Sequence, residues 1–445
     1  MKWVFLAFLA AFTPLLAVQL RNRPNYLPAV AFCLGLLPFV QNRLHLSVDP
    51  ISWPAWQGIS KGTEVSIMDA IAVAIIFATR TVKAPWRLKV ALGILVLGFA
   101  VSTALAPIKM PSLFYGWTIL RTVVAFYAMA RACQTHPRVA EAFLTGLILG
   151  IASQAVVTSI EFAGGSRQAG GWFGHQNLLG MVTHFTVYPA FALFLAGRDS
   201  KRTGLAVVAC LIVAFTGGSR ATIGLMGIGH IATLLLSCSQ GMTSRKGAVM
   251  AVTLLASLII APVMYSAIAR RSAADRQAST DERGKMMLDA SLIVADYPFG
   301  VGANRFVPVS NVGGYRDRAG VNWVNGMAPV HNSYYLVAAE MGWIGLFGLL
   351  SVFAAALSVG FTAMRRARGT TIGDYSTGLI ATFAVVAFHS YQEWVTMLAM
   401  IHLLLGHSLG IVGSAASASV RRQVANGRRL LSTDSRLRTA KLQQG

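Results

Sequence analysis

Charged residues are scarce in this chain, and long apolar runs are abundant. Only 12% of its 445 residues are Asp, Glu, Lys or Arg, while 55% are hydrophobic. Soluble domains carry about 25% charged residues. The apolar runs reach about twenty residues, the length that spans a bilayer as an α-helix, and they lack the alternation of a membrane β-barrel strand. The composition excludes an ordinary soluble domain and predicts an all-α, polytopic integral membrane protein.

The signatures of several enzyme classes are also missing. The sequence has no Walker loop, no His-Glu-x-x-His helix and no dinucleotide-binding fingerprint. No Asp-x-Asp pair stands in a predicted outer loop, so nothing supports a divalent metal that holds a nucleotide-sugar pyrophosphate. The four cysteines have no metal-ligand spacing, and we interpret them as small apolar residues.

Positive charge is in excess, with 38 Lys and Arg against 16 Asp and Glu, a net charge of +22. In a soluble protein this excess would suggest a nucleic-acid partner. Here the basic residues cluster in short loops between apolar segments, and cytoplasmic loops of membrane proteins collect Lys and Arg. We therefore predict no nucleic-acid partner and a C-terminal tail on the inner side. The connections predicted to face outside are 42–63, 163–176, 217–220 and 269–330.

The apolar segments predict about twelve or thirteen membrane crossings. We expect an N-terminal transmembrane bundle over 1–268, a large outer loop over 269–331, C-terminal transmembrane helices over 332–413 and a basic tail over 414–445 that is disordered or bound to the lipid surface. The predicted spans are 3–20, 26–41, 64–80, 88–106, 113–131, 139–162, 177–197, 203–217, 220–238, 247–268, 332–364, 375–393 and 395–413.

A charged stretch from Asp281 to Gly345 interrupts these apolar segments. Its first part, 281–297, predicts an amphipathic helix, because Leu288, Leu292 and Ala295 recur at helical spacing. Pro298 disfavours helical geometry in the residue before it and ends this helix. Ionisable groups are costly in a membrane protein, so we look for chemistry in this stretch.

Arginines near the predicted outer face have two interpretations. Arg220 follows a Thr-Gly-Gly-Ser turn and is either an anion clamp, because a guanidinium matches phosphate oxygens, or a cation that snorkels to the membrane interface. Arg283 is either a second phosphate contact or an ion-paired residue at a helix start. The same ambiguity applies to Arg305, Arg316 and Arg318.

Two histidines and two glutamates are further candidates. His331 precedes an apolar helix that Asn332 or Ser333 could cap; it is either a general base or a capping or interfacial residue. His175 has the same two interpretations. Glu340 and Glu393 lie in apolar helices, where a carboxylate usually has a partner or a function; Glu393 could pair an arginine or orient a base.

The order of these motifs is similar to that of a known group of membrane enzymes. Over roughly residues 172–395 the chain resembles the O-antigen ligase and O-antigen polymerase superfamily, in the elements Gly174-His175-Gln176-Asn177, Ser219-Arg220, Arg283, Pro298-x-Gly300-Val301-Gly302 with Phe306, His331-Asn332 and Glu340-x-Gly342-x-x-Gly345. The first 160 residues match only as generic membrane helices.

The resemblance implies a GT-C-like membrane glycosyltransferase of the bacterial inner membrane, with its active site and large loop on the periplasmic side. Its donor would be a glycan on undecaprenyl diphosphate, and no metal or other cofactor would be needed. Carried over by position, Arg220 and Arg283 would bind the diphosphate and His331 would be the catalytic base. These three residues would be supported by Glu393, Asn332, His175 and Glu340.

Three alternatives remain beside the ligase. A ligase passes the glycan to the lipid A–core oligosaccharide, whereas a polymerase passes it to a second lipid-linked repeat; a protein O-oligosaccharyltransferase is a third relative. The helix count and the single dominant outer loop favour a ligase. A transporter of lipid-linked sugars would instead place ionisable residues near the middle of several helices. We expect these residues at one membrane face, which favours an enzyme that binds glycolipids and membrane lipids.

Overall fold

The structure, a computed structural model, describes residues 2–81, 83–255, 273–394 and 397–417, without the side chains of 273–280. It is 77% helical and 2% strand, which confirms the predicted all-α polytopic class. The helices are α1 (Lys2–Asn22), α2 (Leu27–Val40), α3 (Ile67–Ala78), α4 (Trp86–Leu105), α5 (Met110–Thr135), α6 (Val139–Ala163), α7 (Gln176–Leu195), α8 (Ser200–Gly217), α9 (Arg220–Ser239), α10 (Ala273–Asp296), α11 (Phe306–Val312), α12 (Tyr315–Ala319), α13 (Ser333–Arg366), α14 (Thr371–Gln392) and α15 (Ala399–Ala415). Residues 244–255 are also helical, and strands β1 (Ser47–Val48) and β2 (Val65–Ser66) form one antiparallel pair.

The chain is a multi-pass membrane protein. Within the described ranges, nine helices are long and apolar enough to cross a bilayer, and three shorter apolar helices cover Pro24–Val40, Ile67–Ala78 and Ala399–Ala415. The predicted twelve or thirteen crossings remain a prediction. Most of the predicted span 247–268 and the tail beyond residue 417 lie outside the described residues.

Helices from the two ends of the chain pack together. Helix α13 lies along α4, and α15 lies along α5. A Cβ on Gly98 of α4 would overlap the backbone of Gly345 of α13, so these two helices approach closely through small residues. Helix α14 packs against both α7 and α9, and α7 also contacts α9. These three helices carry or adjoin several of the predicted site residues.

Helix α10 ends at Asp296, as the following Tyr297-Pro298 predicts. The apolar residues that recur at helical spacing are not the face that packs on the protein, however. Leu288 is 49% exposed and Ala295 is also exposed. An apolar stripe can face lipid as well as protein, so helical spacing alone does not identify the buried side. Among the described side chains of α10, residues 281–296, the buried ones are Met286, Asp289, Ala290, Ile293 and Val294.

The turn after α10 is fixed to a break in α13. Gly342 interrupts the helix with φ 65° and ψ −170°, a conformation that is essentially restricted to glycine. The amide of Trp343 then donates to the Pro298 carbonyl at 3.0 Å, and the amide of Val301 donates to the Ala339 carbonyl at 3.0 Å. The Pro-x-Gly-Val-Gly element and the Glu-x-Gly element of the sequence therefore form one structural unit.

A second loop closes over this unit. Asn304 adopts a positive φ of 62°, and its side-chain amide donates to the Ser60 carbonyl at 2.6 Å. The Trp56 indole donates to the Asn304 carbonyl at 2.9 Å. The 42–63 connection is thereby held against the start of the 303–330 segment.

Candidate active site

One cavity of about 560 Å³ brings Arg220, Arg283 and Glu393 together. These residues come from the start of α9, the first half of α10 and the residue that follows α14. Further polar groups in the wall come from Gln176, Asn177, Ser219 and Gln392. One side of the wall is apolar and is formed by Leu225, Ile228 and Phe388. The cavity therefore combines two cations and one carboxylate with an apolar wall.

Arg220 occupies the first turn of α9. Gly218 adopts a left-handed conformation with φ 59°, which lets α8 turn directly into α9, and the Ser219 hydroxyl caps α9 by accepting from the Thr222 amide at 3.3 Å. Arg220 is exposed, and no acceptor of the described chain lies within hydrogen-bond distance of its guanidinium. The free amides of a helix N-terminus favour anions. Arg220 and the start of α9 thus present positive charge to the same cavity.

Glu393 is the centre of the site. It is 1% exposed, and its Oε1 accepts from Asn177 Nδ2 at 2.8 Å and from Arg283 Nη2 at 3.1 Å. Its Oε2 lies 3.1 Å from Nδ1 of His331. The Ser333 hydroxyl donates to its backbone carbonyl at 2.7 Å. A buried carboxylate needs such donors, because an unpaired charge is very costly away from water.

The contact with Glu393 determines the tautomer of His331. A carboxylate only accepts hydrogen bonds, so Nδ1 of His331 carries the proton in this contact and Nε2 keeps its lone pair in the neutral ring. The imidazole is 30% exposed, so it can be reached from outside the protein. This is the arrangement in which a carboxylate orients a histidine base. His331 does not cap α13; Asn332 does, because its Oδ1 accepts from the amides of Tyr334 at 3.0 Å and Tyr335 at 3.3 Å.

Arg283 is held at its place by Glu393 and by its neighbour. The Glu282 carboxylate accepts from the Asn322 amide at 2.7 Å and from Asn325 Nδ2 at 2.9 Å, which fastens α10 to the 322–325 turn. Partial burial raises the pKa of Glu282, but these hydrogen bonds outweigh it and the pKa lies below its usual value. The Arg283 side chain stays 41% exposed, so it keeps donors for a ligand.

Three arginines that had the same ambiguity lie elsewhere. Arg316 is 5% exposed and donates to Ser310, to the carbonyls of Asn325 and Ala328, and pairs with Asp289 at 3.6 Å. Arg305 is 8% exposed and donates to the Val301 carbonyl at 2.7 Å. Arg318 lies 4.0 Å from Asp296. Burial lowers the pKa of Arg316 and raises that of its partner Asp289. Arg305 and Arg316 therefore hold the loop together.

Glu340 lies away from the cavity. Its carboxylate accepts from the Asn304 amide at 2.7 Å and from the Phe306 amide at 2.9 Å, and it is 5% exposed. The partner that an intramembrane carboxylate requires is here the backbone of the 303–306 turn. Glu340 supports the loop conformation and contacts none of Arg220, Arg283 and His331 through a hydrogen bond.

His175 stands at the exposed N-cap position of α7, and its side chain makes no capping hydrogen bond. The contact to Glu393 comes from Asn177, two residues later. The Gly-His-Gln-Asn motif contains Asn177, but the motif predicted its histidine as the functional residue because histidine is the more reactive side chain. Asn177 is 216 residues from Glu393 in the sequence. Only the folded structure shows that their side chains are in hydrogen-bond contact.

Among the described residues, no group of three or more His, Cys, Asp or Glu could hold a metal ion. The cationic groups at the cavity are arginines, which bind phosphate oxygens directly.

No curated protein matches this chain. Residues 205–350, about a third of the chain, match the family model described as O-antigen ligase. The matched segment contains Arg220, Arg283 and His331, while Asn177 and Glu393 lie outside it. The match confirms, across this segment, the relationship to the O-antigen ligase superfamily that the motifs predicted.

Proposed function

We propose that this protein transfers a glycan from undecaprenyl diphosphate to the lipid A–core oligosaccharide, in the manner of an O-antigen ligase. The reaction takes place at the periplasmic face of the bacterial inner membrane, inverts the anomeric centre and uses no metal. Arg220 and Arg283 bind the diphosphate of the donor, and His331 is the general base.

One relationship carries the proposal. The carboxylate of Glu393 lines the cavity that contains both arginines, and the same carboxylate contacts His331 at 3.1 Å. His331 itself does not line this cavity, and Glu393 links its imidazole to the place where the two arginines would bind a diphosphate. Anion binding and proton abstraction are the two tasks that glycosyl transfer from a lipid diphosphate requires.

The chemical step follows from these positions. The acceptor hydroxyl attacks the anomeric carbon of the donor, and its proton passes to Nε2 of His331. The bond between the anomeric carbon and the diphosphate oxygen breaks at the same time, and undecaprenyl diphosphate leaves with the electron pair. Glu393 stabilises the imidazolium that forms, as the aspartate does in hydrolase triads.

Negative charge grows on the diphosphate as the sugar departs. Preorganised donors that face the developing charge stabilise the transition state more than the ground state, and removal of one such donor costs on the order of 10²–10³ in rate. Arg283 is held by Glu393, and the capped start of α9 fixes the backbone of Arg220. The Arg283 cation is thus oriented before the donor binds, and the exposed Arg220 guanidinium is free to bind the diphosphate.

The apolar wall accounts for the lipid part of the donor. Ile228 and Phe388 line the cavity and are 59% and 56% exposed. Exposed apolar residues on membrane helices face lipid, so this side of the cavity suits a polyprenyl chain that enters from the bilayer. A soluble anionic substrate would gain nothing from this wall.

A transporter is the alternative of another class. Histidines do lie deep within helices, but His184 and His389 are fully buried and do not line the cavity. The charged groups that line the cavity are at the ends of α9 and α14 and on α10. This distribution favours an enzyme with one reaction site.

The proposal is tested with purified protein in lipid nanodiscs and a glycan on undecaprenyl diphosphate. One arm offers lipid A–core as acceptor, and another offers a second lipid-linked repeat; both are repeated with EDTA. We expect glycosylated lipid A–core at an undiminished rate in EDTA. Products only from the second arm would replace the ligase with a polymerase. Inhibition by EDTA that magnesium reverses would contradict the metal-independent mechanism, and movement of unchanged glycolipid across vesicles would support a transporter.

A further inference from the structure

A buried cluster of polar side chains lies next to the cavity, and the proposed mechanism does not use it. His184 Nε2 is 3.2 Å from His389 Nδ1, and the Tyr188 hydroxyl is 3.1 Å from His184 Nδ1. The Tyr188 hydroxyl also donates to the Leu225 carbonyl at 2.9 Å. His184, Tyr188 and His389 are all 0% exposed. The cluster thus runs from α14 through α7 to α9.

The hydrogen bonds of this cluster have one favoured direction. If Tyr188 donates to Leu225, it accepts from Nδ1–H of His184, and His184 Nε2 then accepts from Nδ1–H of His389. The remaining atom, Nε2 of His389, has no partner in the described chain and is a bare acceptor in this scheme. The opposite direction would leave an N–H donor buried without a partner, which is rare in folded proteins. With neutral rings, the hydrogen bonds of the three side chains thus all run in the same direction, from His389 through His184 and Tyr188 to Leu225.

Each helix that the cluster joins carries a residue of the proposed site. His389 lies one turn before Glu393, whose amide donates to the His389 carbonyl at 3.0 Å. Leu225 lies five residues after Arg220 on α9, about 7–8 Å along the helix axis. His184 lies seven residues after Asn177 on α7. A single chain of hydrogen bonds thus connects the helices that carry the diphosphate arginine, the central carboxylate and its amide donor.

Packing around the cluster is close. A Cβ on Gly229 of α9 would overlap the ring of Tyr188, and a Cβ on Gly180 of α7 would overlap the Thr222 side chain. The Thr382 hydroxyl of α14 donates to the His184 carbonyl at 3.1 Å. Because α7 contacts both neighbours without intervening space, a small shift at Tyr188 is transmitted to α9.

We propose that His184, Tyr188 and His389 are positioning residues that set the distance between Arg220 and the Glu393–His331 pair. The inference rests on the proposed function, because it concerns the same cavity. Stability alone does not account for the cluster, since replacing both partners of a buried hydrogen bond by apolar groups of the same shape can be nearly neutral or stabilising. Its effect is to fix the register of α9 against α14, and an error of about 1 Å in such an alignment can cost about 100-fold in rate.

The test compares two tyrosine-to-phenylalanine variants. Tyr188→Phe removes the hydroxyl that joins α7 to α9 and keeps the ring. Tyr375→Phe is the matched control, because Tyr375 is on α14, is 1% exposed, and its hydroxyl has no partner in the described chain. We expect Tyr188→Phe to lower kcat about 10-fold to 100-fold with donor KM changed by less than about 3-fold, while Tyr375→Phe matches the wild type.

A second variant separates position from stability. His184→Leu replaces a buried imidazole by an apolar side chain and leaves Nδ1–H of His389 without its acceptor, so Tm is expected to fall in either case. A positioning role predicts that kcat per folded molecule also falls, as in Tyr188→Phe, whereas a purely structural role predicts a lower Tm with unchanged kcat per folded molecule. Equal kcat in the wild type and Tyr188→Phe, within about 2-fold, would overturn the inference.

A spectroscopic measurement does not depend on the proposed reaction. Nitroxide labels replace the exposed Ile231 on α9 and Tyr391 on α14 in a cysteine-free background, and electron paramagnetic resonance gives their distance distribution. Tyr188→Phe should broaden or shift the distribution, and Tyr375→Phe should not. An unchanged distribution would overturn the positioning role even in an inactive preparation. If Tyr188→Phe shifts the distance distribution but the wild type transfers no glycan, the proposed function is rejected and the link between the helices is kept.

Discussion

The carboxylate of Glu393 lies 3.1 Å from Nδ1 of His331 and 3.1 Å from Nη2 of Arg283. The proposed base and one proposed diphosphate ligand therefore share a single buried anion. Their geometry is coupled, because a movement of Glu393 displaces both. Asn177 Nδ2 is a third donor to this carboxylate, at 2.8 Å, and it keeps the anion in place when a ligand draws on Arg283.

Glu393→Gln tests this coupling. A glutamine offers one oxygen and one amide nitrogen, so it cannot accept from Asn177, Arg283 and His331 at once. We expect kcat to fall on the order of 10²–10⁴-fold, since a base with the wrong tautomer loses catalysis to this extent. Initial rates of glycan transfer provide the measurement, with Gln240→Glu as a control for a single carboxyl change distant from the cavity. A variant within about 3-fold of the wild type would show that Glu393 orients nothing.

His331→Ala tests the base. Its side chain is 30% exposed and does not cap α13, and Glu393 keeps Asn177 and Arg283 as donors, so the variant should remain folded. We expect transfer to fall by about 10²–10⁴-fold, the usual contribution of a general base. His45→Ala, at an exposed loop position, should be fully active. Normal transfer by His331→Ala would leave the proposed mechanism without its base.

Arg220→Lys tests the diphosphate clamp. Lysine keeps the charge but cannot offer two parallel N–H donors to phosphate oxygens. We expect kcat/KM for the lipid-diphosphate donor to fall about 10²-fold or more, in the range for loss of one preorganised donor. Arg318→Lys in the 303–330 segment, where the arginine side chain is 56% exposed, should have little effect. Full activity of Arg220→Lys would argue against bidentate binding.

Gly342→Ala tests the fixed loop. A Cβ at this position would overlap the backbone of Phe299, and φ 65° with ψ −170° is strained for alanine. We expect a lower Tm and loss of transfer, because the 298–306 turn could no longer dock on α13. Gly93→Ala is the control, since nothing lies within 4 Å of a Cβ there; in a helix it should be neutral or slightly stabilising. Equal Tm values for the two variants would contradict the role of the break.

Much of the architecture follows from local properties of the chain. Apolar runs of bilayer length form helices because lipid leaves the backbone no other partners, and Gly218 and Pro298 end or redirect helices through their restricted or permissive dihedral angles. The predicted helix boundaries near Arg220 and before Pro298 agree with the structure. The face of α10 that packs on the protein could not be predicted from the sequence. Leu288 and Ala295 have the spacing of one helix face, but both are exposed.

The role of each ionisable residue depends on distant partners. Each of Arg220, Arg283, Arg305 and Arg316 had two interpretations from the residues alone, with weaker support for the last two. Packing shows that Arg220 and Arg283 line the cavity, whereas Arg305 and Arg316 bind loop carbonyls. Glu340 and Glu393 are both carboxylates in apolar surroundings, yet one binds backbone amides and the other meets His331.

By itself, then, the sequence determined a multi-pass helical bundle, the glycine and proline turns and the set of residues that have reactive or charged side chains. These features depend on composition and on neighbours within a few positions. Only the tertiary structure decided that Asn177, Arg283, His331 and Glu393 meet at one carboxylate. Hydrogen bonds act over about 3 Å, and whether residues more than sixty or two hundred positions apart reach that distance depends on how the helices pack.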